Sequence, residues 1–257
     1  MRPILARSNA HVLEQLARSN VILVFDYDGT LAPIVEDPDT AVMRPRTRDL
    51  LTRVAERFPC GILSGRARSE VLRLLGAPMV EWVLGNHGTE WGRAPSDGVD
   101  FQRKVRRWAG QIAERLGSLP GVVLENKRYS LAIHYRRSRE KKQALAAIGR
   151  AVEGLPGAKV YPGKQVVNVV PEGAPHKGIA LQRLRAAAGC DTALYVGDDT
   201  TDEDVFALDE PGQLVTVRVG QSQRSQAAYY LPRQSQIDTL LSRLLALRAR
   251  SKARMSA

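Results

Sequence analysis

Val21-Ile22-Leu23-Val24 runs without a break into Phe25-Asp26-Tyr27-Asp28-Gly29-Thr30. A short, uninterrupted apolar run bounded by a glycine turn reads as a strand buried on both faces, the kind found in parallel sheets covered by helices. Two carboxylates one residue apart at the end of such a strand repel each other, and burial disfavours their charged forms. A divalent cation would relieve both effects, and hard cations such as Mg²⁺ take oxygen ligands.

A second segment repeats the pattern. Leu194-Tyr195-Val196-Gly197 opens into Asp198-Asp199-Thr200-Thr201-Asp202-Glu203-Asp204, with five acids in seven positions. Such a cluster after a strand fits a metal site. It also fits a helix start, because Asp and Thr cap helices and acids favour the first turn. The two readings are compatible, with a helix over 202–208.

Two further segments suit phosphate chemistry. Gly61-Ile62-Leu63-Ser64-Gly65-Arg66 is a strand ending in a hydroxyl, a glycine and a cation, where Ser64 and the backbone N–H groups around Gly65 can hold a phosphate oxygen. Arg66 itself reads as part of a helix start rather than as a catalyst. Pro175-His176-Lys177-Gly178 precedes an apolar helix, and Lys177 offers a point charge to a phosphate or a nucleophile.

Strands alternate with helices in two stretches of the chain. Strands at 21–25, 61–63 and 82–84 enclose helices at 47–57 and 69–75. After residue 170 come a helix at 176–188, strands at 194–196 and 214–219, and a helix near 235–247. This rhythm predicts an α/β fold with a parallel sheet, and such sheets bind ligands beyond the carboxyl ends of their strands. The middle of the chain differs. Val105, Trp108, Ile112 and Leu116 have helical spacing, two short strands follow, and Leu145, Ile148 and Val152 then mark a second helix before two more strands. An αββαββ insertion is expected, with one antiparallel sheet and helices on one face. The boundaries read as a discontinuous core, 1–85 and 171–257, around a cap domain, 86–170, with hinges at Asn86 and at Val170-Pro171.

At 257 residues and 44% hydrophobic composition, the chain has material for one large domain or two modest ones. Its formal charge of +11 favours anionic partners. The basic runs at 103–107 and 248–254 lack the interleaved aromatic residues of a stacking platform, so nucleic acid is not the expected partner. The stretch after Leu247 reads as a frayed basic tail. Cys60 and Cys190 make neither a metal spacing nor a disulfide framework, and no apolar run is long enough for a signal peptide or a membrane span. A reduced, cytoplasmic setting is expected, with no membrane association.

Taken in order, Asp26-Tyr27-Asp28-Gly29-Thr30, Ser64, Lys177 and Gly197-Asp198-Asp199 with Asp202 resemble the four motifs of the haloacid dehalogenase superfamily of phosphohydrolases. The resemblance covers about 21–240. It implies a Rossmann-like core with an inserted cap and assigns roles to these residues. Asp26 would be the nucleophile that forms an aspartyl-phosphate, and Asp28 the general acid and then the general base. Mg²⁺ would be held by Asp26, the backbone carbonyl of Asp28 and Asp198. Ser64, Gly65 and Lys177 would bind the phosphoryl group. Asp199 and Asp202 would support the metal or orient Lys177, and Thr30 would hydrogen-bond near the nucleophile loop.

A narrower resemblance, to the trehalose-6-phosphate phosphatase family, rests on further segments. These are Gly85-Asn86-His87-Gly88-Thr89-Glu90, Glu125-Asn126-Lys127, Ser130-Leu131-Ala132-Ile133-His134-Tyr135-Arg136 and the run from Tyr195 to Phe206. It implies hydrolysis of trehalose 6-phosphate and functional coupling to a trehalose-6-phosphate synthase. Asn86, His87, Glu125, Lys127, His134, Arg136 and Asn168 would meet the sugar. Alternation places Glu125 and Lys127 on one face of a strand, and His134 and Arg136 likewise on the next. Asn168 departs from the family, which often has glutamate there, although an amide still donates to and accepts from hydroxyls. The alternatives are a phosphatase acting on sucrose 6-phosphate or a glycosyl-phosphoglycerate, and a non-catalytic domain that binds a sugar phosphate.

Overall fold

The computed structural model describes residues 1–76, 80–91, 98–163, 165–208 and 210–255. The chain divides into two units, Met1–Gly92 with Pro175–Ala257, and Arg93–Ala174.

The first unit opens with β1 (Arg2–Pro3), α1 (Ala10–Arg18), β2 (Val21–Phe25), α2 (Pro45–Ala55), β3 (Cys60–Leu63), α3 (Arg68–Leu75) and β4 (Trp82–Leu84). The second unit holds α4 (Gly98–Leu116), β5 (Val123–Asn126), β6 (Leu131–His134), α5 (Lys141–Val152), β7 (Ala158–Gly163) and β8 (Val166–Pro171). The chain then returns to the first unit through α6 (Lys177–Ala187), β9 (Thr192–Gly197), α7 (Glu203–Phe206), β10 (Leu214–Val219), β11 (Tyr229–Leu231) and α8 (Ile237–Met255).

The sheet of the first unit has seven strands in the order β1-β11-β10-β9-β2-β3-β4. Every pairing in it is parallel. β2 explains why its sequence is apolar throughout. Val21, Leu23 and Phe25 point into one core with residues of α1, α2 and α8, while Ile22 and Val24 point into another with Ala180, Leu181 and Leu184 of α6. Successive strands run outward from β2 in both directions, to β3 and β4 on one side and from β9 to β10 and β11 on the other. The strand order therefore reverses at β2, and a crevice forms there at the carboxyl ends.

Three parts of this unit differ from the sequence expectation. β1, α1 and β11 go beyond the elements that the sequence predicts; β1 is two residues long and pairs with β11, 227 residues away along the chain. The stretch after Leu247 is no frayed tail, because α8 continues to Met255. Arg248 explains part of that extension. Its guanidinium lies 4.5 Å from the centre of the Phe58 ring and donates to the carbonyls of Ala17 and Ser19, at the end of α1. Finally, the expected helix over 202–208 is a 3₁₀ turn, Thr200–Asp202, followed by the single turn of α7.

The second unit is an antiparallel sheet in the order β5-β6-β8-β7 with two helices, the expected αββαββ pattern. Leu131 and Ile133 of β6 and Val167 and Val169 of β8 share a face and a core with Val105, Trp108 and Ile112 of α4 and Ile148 of α5. Both helices therefore cover the same face of the sheet. On the other face, Glu125, Ala132, Asn168 and Tyr161 form one cross-strand row.

The segment from Asn86 to Trp91, assigned from the sequence to the inserted part, lies in the first unit. It is tied there by its own hydrogen bonds: the Gly85 N–H donates to the Glu90 carbonyl, and a Glu90 carboxylate oxygen accepts the Arg68 N–H at the start of α3.

Candidate active site

Register places the functional residues side by side. Phe25 is level with Val196 on one neighbour and Ile62 on the other, so Asp26, Gly197 and Leu63 leave adjacent strands together. The Asp26 N–H still donates to the Val196 carbonyl at 2.8 Å, which holds the nucleophile candidate against the sheet.

Lys177 enters from the first turn of α6. The His176 ring caps that helix by accepting the Gly178 N–H at 3.2 Å. The Lys177 ammonium donates to Asp26 Oδ1 at 2.9 Å and to Asp202 Oδ1 at 2.7 Å. Asp202 is the better satisfied of the two carboxylates. Its Oδ1 also accepts the Tyr195 hydroxyl at 2.6 Å, and its Oδ2 accepts the N–H groups of Asp198 and Asp199, each at 2.8 Å.

The electrostatics follow from that difference. Burial works against the Asp202 charge, but Lys177 and the hydrogen bonds overcome it, so its pKa lies below the ordinary carboxylate value. Burial likewise works against the Lys177 ammonium, and Asp202 and Asp26 overcome it, so its pKa is raised. Asp26 goes the other way: burial, resisted by Lys177 but reinforced by Asp202, pushes it up to about 7. At Asp198, burial together with the charges of Asp26, Asp202 and Asp199 outweighs the opposing pull of Lys177 and pushes the carboxyl up to about 9.

This imbalance is a test of whether a metal fits. Oxygens of Asp26, Asp198 and Asp202 lie within 4.8 Å of one another, with one ammonium among three carboxylates. The missing positive charge is about that of one divalent cation. Asp198 Oδ1 is buried with no hydrogen-bond partner, as an oxygen reserved for a metal would be. Asp202, with four donors already on it, is the anchor of Lys177 and not a free ligand. Gly29, with φ of 75°, makes room for Asp198, since a Cβ at that position would overlap the carboxylate.

Ser64 is buried, and its hydroxyl accepts the Arg66 N–H at 3.1 Å. Gly65 lies under the His87 ring, where a Cβ would come within 2.7 Å of Cε1. Arg66 does more than begin a helix: Nε donates to Asp28 Oδ2 at 2.6 Å and Nη2 to Oδ1 at 2.7 Å. Asp28 stands two residues after Asp26, but its carboxylate meets Arg66, while Lys177 meets Asp26 and Asp202. Asp199 precedes the 3₁₀ turn and caps it, with no bond to Lys177. Thr30 is fully buried beside this loop; its hydroxyl has no partner, and its carbonyl accepts from Gln234.

Glu125, His134 and Asn168 share the face of the second unit's sheet opposite its two helices, and Lys127 follows directly after β5. His134 Nε2 is 2.7 Å from Glu125 Oε2, and Lys127 Nζ is 3.8 Å from the same oxygen. Arg136 lies past the end of β6, in a turn, so it does not share the strand position expected for it. Asn86 and His87 belong to the first unit, against the Ser64 loop: the Asn86 N–H donates to the Arg66 carbonyl and the His87 N–H to the Ser64 carbonyl.

Two contributors were missed in the sequence. Tyr195 gave no signal, as a hydroxyl in an apolar strand reads as core. Arg66 reads from the sequence as part of a helix start, because nothing in the spacing tells that its side chain turns back 38 residues to Asp28.

A parallel α/β core with three acids, a lysine and a serine loop at its strand ends, and an αββαββ insertion, is the fold of the haloacid dehalogenase superfamily. A subclass IIB sugar phosphatase of that superfamily superposes with a TM-score of 0.57 at 15% identity, over 86% of this chain and 96% of that one. The C-terminal domain of trehalose-6-phosphate phosphatase from Candida albicans is nearer, with a TM-score of 0.75 and 25% identity over 96% of this chain and 98% of that one. The trehalose-phosphatase family model matches residues 24–235, and the chain belongs to that family. A trehalose-phosphate phosphatase of Mycobacterium avium is 37% identical over 205 residues, covering 74% of this chain and 52% of its own. The chain thus spans about half the length of the curated relatives it matches.

Proposed function

We propose that the protein is a Mg²⁺-dependent phosphatase that hydrolyses trehalose 6-phosphate to trehalose and phosphate. The observation that carries the reading is the Lys177–Asp26 pair at the end of β2, beside an Asp198 oxygen with no partner. Asp26 attacks phosphorus and forms an aspartyl-phosphate while Asp28 protonates the departing sugar oxygen. Water then attacks the phosphoryl group, giving its proton to Asp28, and Asp26 is released. Lys177, Ser64 and the backbone at Gly65 hold the phosphoryl oxygens. Asp26, Asp198 and the Asp28 carbonyl would hold the metal, which offsets charge between phosphate and carboxylate when bound.

In this reading the second unit is the cap that selects the sugar. A carboxylate, an imidazole and an amide on one sheet face, with an ammonium directly after β5, suit the hydroxyls of a disaccharide, and Glu125, His134, Asn168 and Lys127 supply them. Arg136, Asn86 and His87 complete the set of polar groups assigned to substrate. The enzyme would follow a trehalose-6-phosphate synthase and act in the cytoplasm. Two reduced cysteines, Cys60 and Cys190, fit that compartment, and no described helix is long and apolar enough to cross a membrane.

Phosphate release is the test. The substrates are trehalose 6-phosphate, sucrose 6-phosphate, glucosyl-phosphoglycerate, glucose 6-phosphate and p-nitrophenyl phosphate, each with Mg²⁺ and with chelator. The expected result is metal-dependent release with strong preference for trehalose 6-phosphate. Preference for another sugar phosphate would keep the chemistry of Asp26 and reject the assignment of the cap. Folded protein with no release from any substrate would reject the phosphatase reading.

A further inference from the structure

The ion pair between Arg66 and Asp28 has an unequal geometry. Two parallel bonds, 2.6 and 2.7 Å, fix the plane of the carboxylate as well as its position. The Arg66 side chain is 11% exposed and that of Asp28 is 36% exposed, so the guanidinium is the buried member and the carboxylate the one that faces outward. Each carboxylate oxygen keeps a second lone pair that the guanidinium does not use.

Arg66 is held from behind. Its N–H donates to Ser64 Oγ, and its carbonyl accepts the Asn86 N–H at 2.7 Å. Asn86 and His87 both adopt left-handed backbone, with φ of 48° and 56°. Such a conformation is costly for non-glycine residues and persists only where surroundings enforce it. Here the turn supplies the N–H groups that hold the Ser64 and Arg66 carbonyls, and the His87 ring rests on Gly65.

We propose that Arg66 is a positioning residue that fixes the Asp28 carboxyl for both of its proton transfers. The inference rests on the phosphatase reading above. In the first half-reaction the bond from Asp26 Oδ to phosphorus forms and the bond to the sugar oxygen breaks, that oxygen taking the proton of Asp28. In the second, the bond from water to phosphorus forms and the Asp26 bond breaks, and the water proton goes to Asp28. Each transfer needs the same carboxyl oxygen within about 2.6–3.2 Å of the reacting oxygen. A carboxyl free to turn about its own bond meets that condition only part of the time. A guanidinium fork removes the freedom, and an ammonium, a point charge, does not.

The test compares Arg66→Ala, Arg66→Gln and Arg66→Lys with wild type on trehalose 6-phosphate and p-nitrophenyl phosphate, with Mg²⁺. The nitrophenolate leaves without needing a proton, so its pre-steady-state burst reads formation of the aspartyl-phosphate alone. The expected result is a fall in kcat on trehalose 6-phosphate of about 100-fold, the scale of general acid–base catalysis, with KM within about 2-fold. The nitrophenol burst should slow by less than about 5-fold, and Arg66→Lys should stay impaired. Equal losses on both substrates with raised KM would overturn the inference and make Arg66 a phosphate-binding group. Full activity in Arg66→Lys, or in all three variants, would also overturn it. If Arg66→Ala does not fold, the other two variants carry the comparison. A wild type inactive toward both substrates would reject the phosphatase reading and this inference with it, whereas an active wild type with insensitive variants rejects the inference alone.

Discussion

Lys177 Nζ lies 2.7 Å from Asp202 Oδ1, with both side chains out of solvent. Asp202 is itself held by Tyr195 and by two backbone N–H groups, so the ammonium has a fixed anchor from which it also reaches Asp26. The ammonium thus reaches Asp26 from a rigid partner, not at the end of a freely moving side chain. Replacing Lys177 with Met would leave two buried carboxylates facing each other. The expected loss of stability is about 3–5 kcal/mol, the range for breaking a buried pair, with turnover abolished. Urea denaturation at neutral pH checks the first and phosphate release the second; a variant as stable as wild type would contradict the anchored-pair account.

Stability of the metal-free protein should change with pH in a predictable direction. Asp26 and Asp198 have pKa values raised to about 7 and about 9. A carboxyl whose folded pKa is raised contributes stability below its unfolded pKa, near 4, and that contribution is lost as pH rises through the folded value. Metal-free protein should therefore become less stable between about pH 4 and pH 9. Asp202, lowered, opposes this only at the acid end, where its contribution is lost as pH falls. Saturating Mg²⁺ should raise the melting temperature more at pH 8.5 than at pH 5.5. Thermal melts with Mg²⁺ and with chelator measure it, and an equal shift at both pH values would count against Asp26 and Asp198 as ligands.

Gly29→Ala should separate the metal site from the rest of the fold. The substitution puts a side chain on a residue with φ of 75° and into the Asp198 carboxylate. A strained left-handed residue costs about 1 kcal/mol or more, and displacing Asp198 should cost metal affinity besides. The expected outcome is a protein that folds with a modestly lower midpoint and needs at least about 10-fold more Mg²⁺ for half-maximal activity. Unchanged Mg²⁺ dependence would dissociate Asp198 from the metal.

Glu125→Gln tests the second unit independently of the chemistry. It keeps the size of the side chain and removes the charge that faces His134 at 2.7 Å and Lys127 at 3.8 Å. Losing a charged hydrogen bond is worth about 1.5–3 kcal/mol, or roughly 10- to 100-fold in KM for the sugar phosphate. Hydrolysis of p-nitrophenyl phosphate, which has no sugar, should stay within about 2-fold of wild type. Matching losses on both substrates would remove Glu125 from sugar recognition.

Much of this was legible in the chain because the signals were local. The continuous apolar run of β2, with Asp26 and Asp28 after it, and that of β9, with Asp198 after it, mark buried strands whose ends must carry acids. Helical spacing in α4 and α5, with alternation in β6, marked the inserted unit. What stayed hidden depends on long-range contact. β1 is two residues long and exists through pairing with β11 at the far end of the chain, and β11, three residues long, is held between β1 and β10. Arg248, just past Leu247, is tied to Phe58 and to the end of α1, and no window of sequence contains those partners.

The same division holds within the site. Sequence alone determined where the candidate residues stand, since Asp26, Asp28 and Asp198 follow short apolar runs and the ends of buried strands follow from such runs. The tertiary structure decided how the charges are shared. It gave Lys177 to Asp202 and Asp26, left Asp198 Oδ1 without a partner, and turned Arg66 onto Asp28. Those outcomes depend on burial and on distances between side chains 25 to 151 positions apart, quantities that a one-dimensional pattern does not contain.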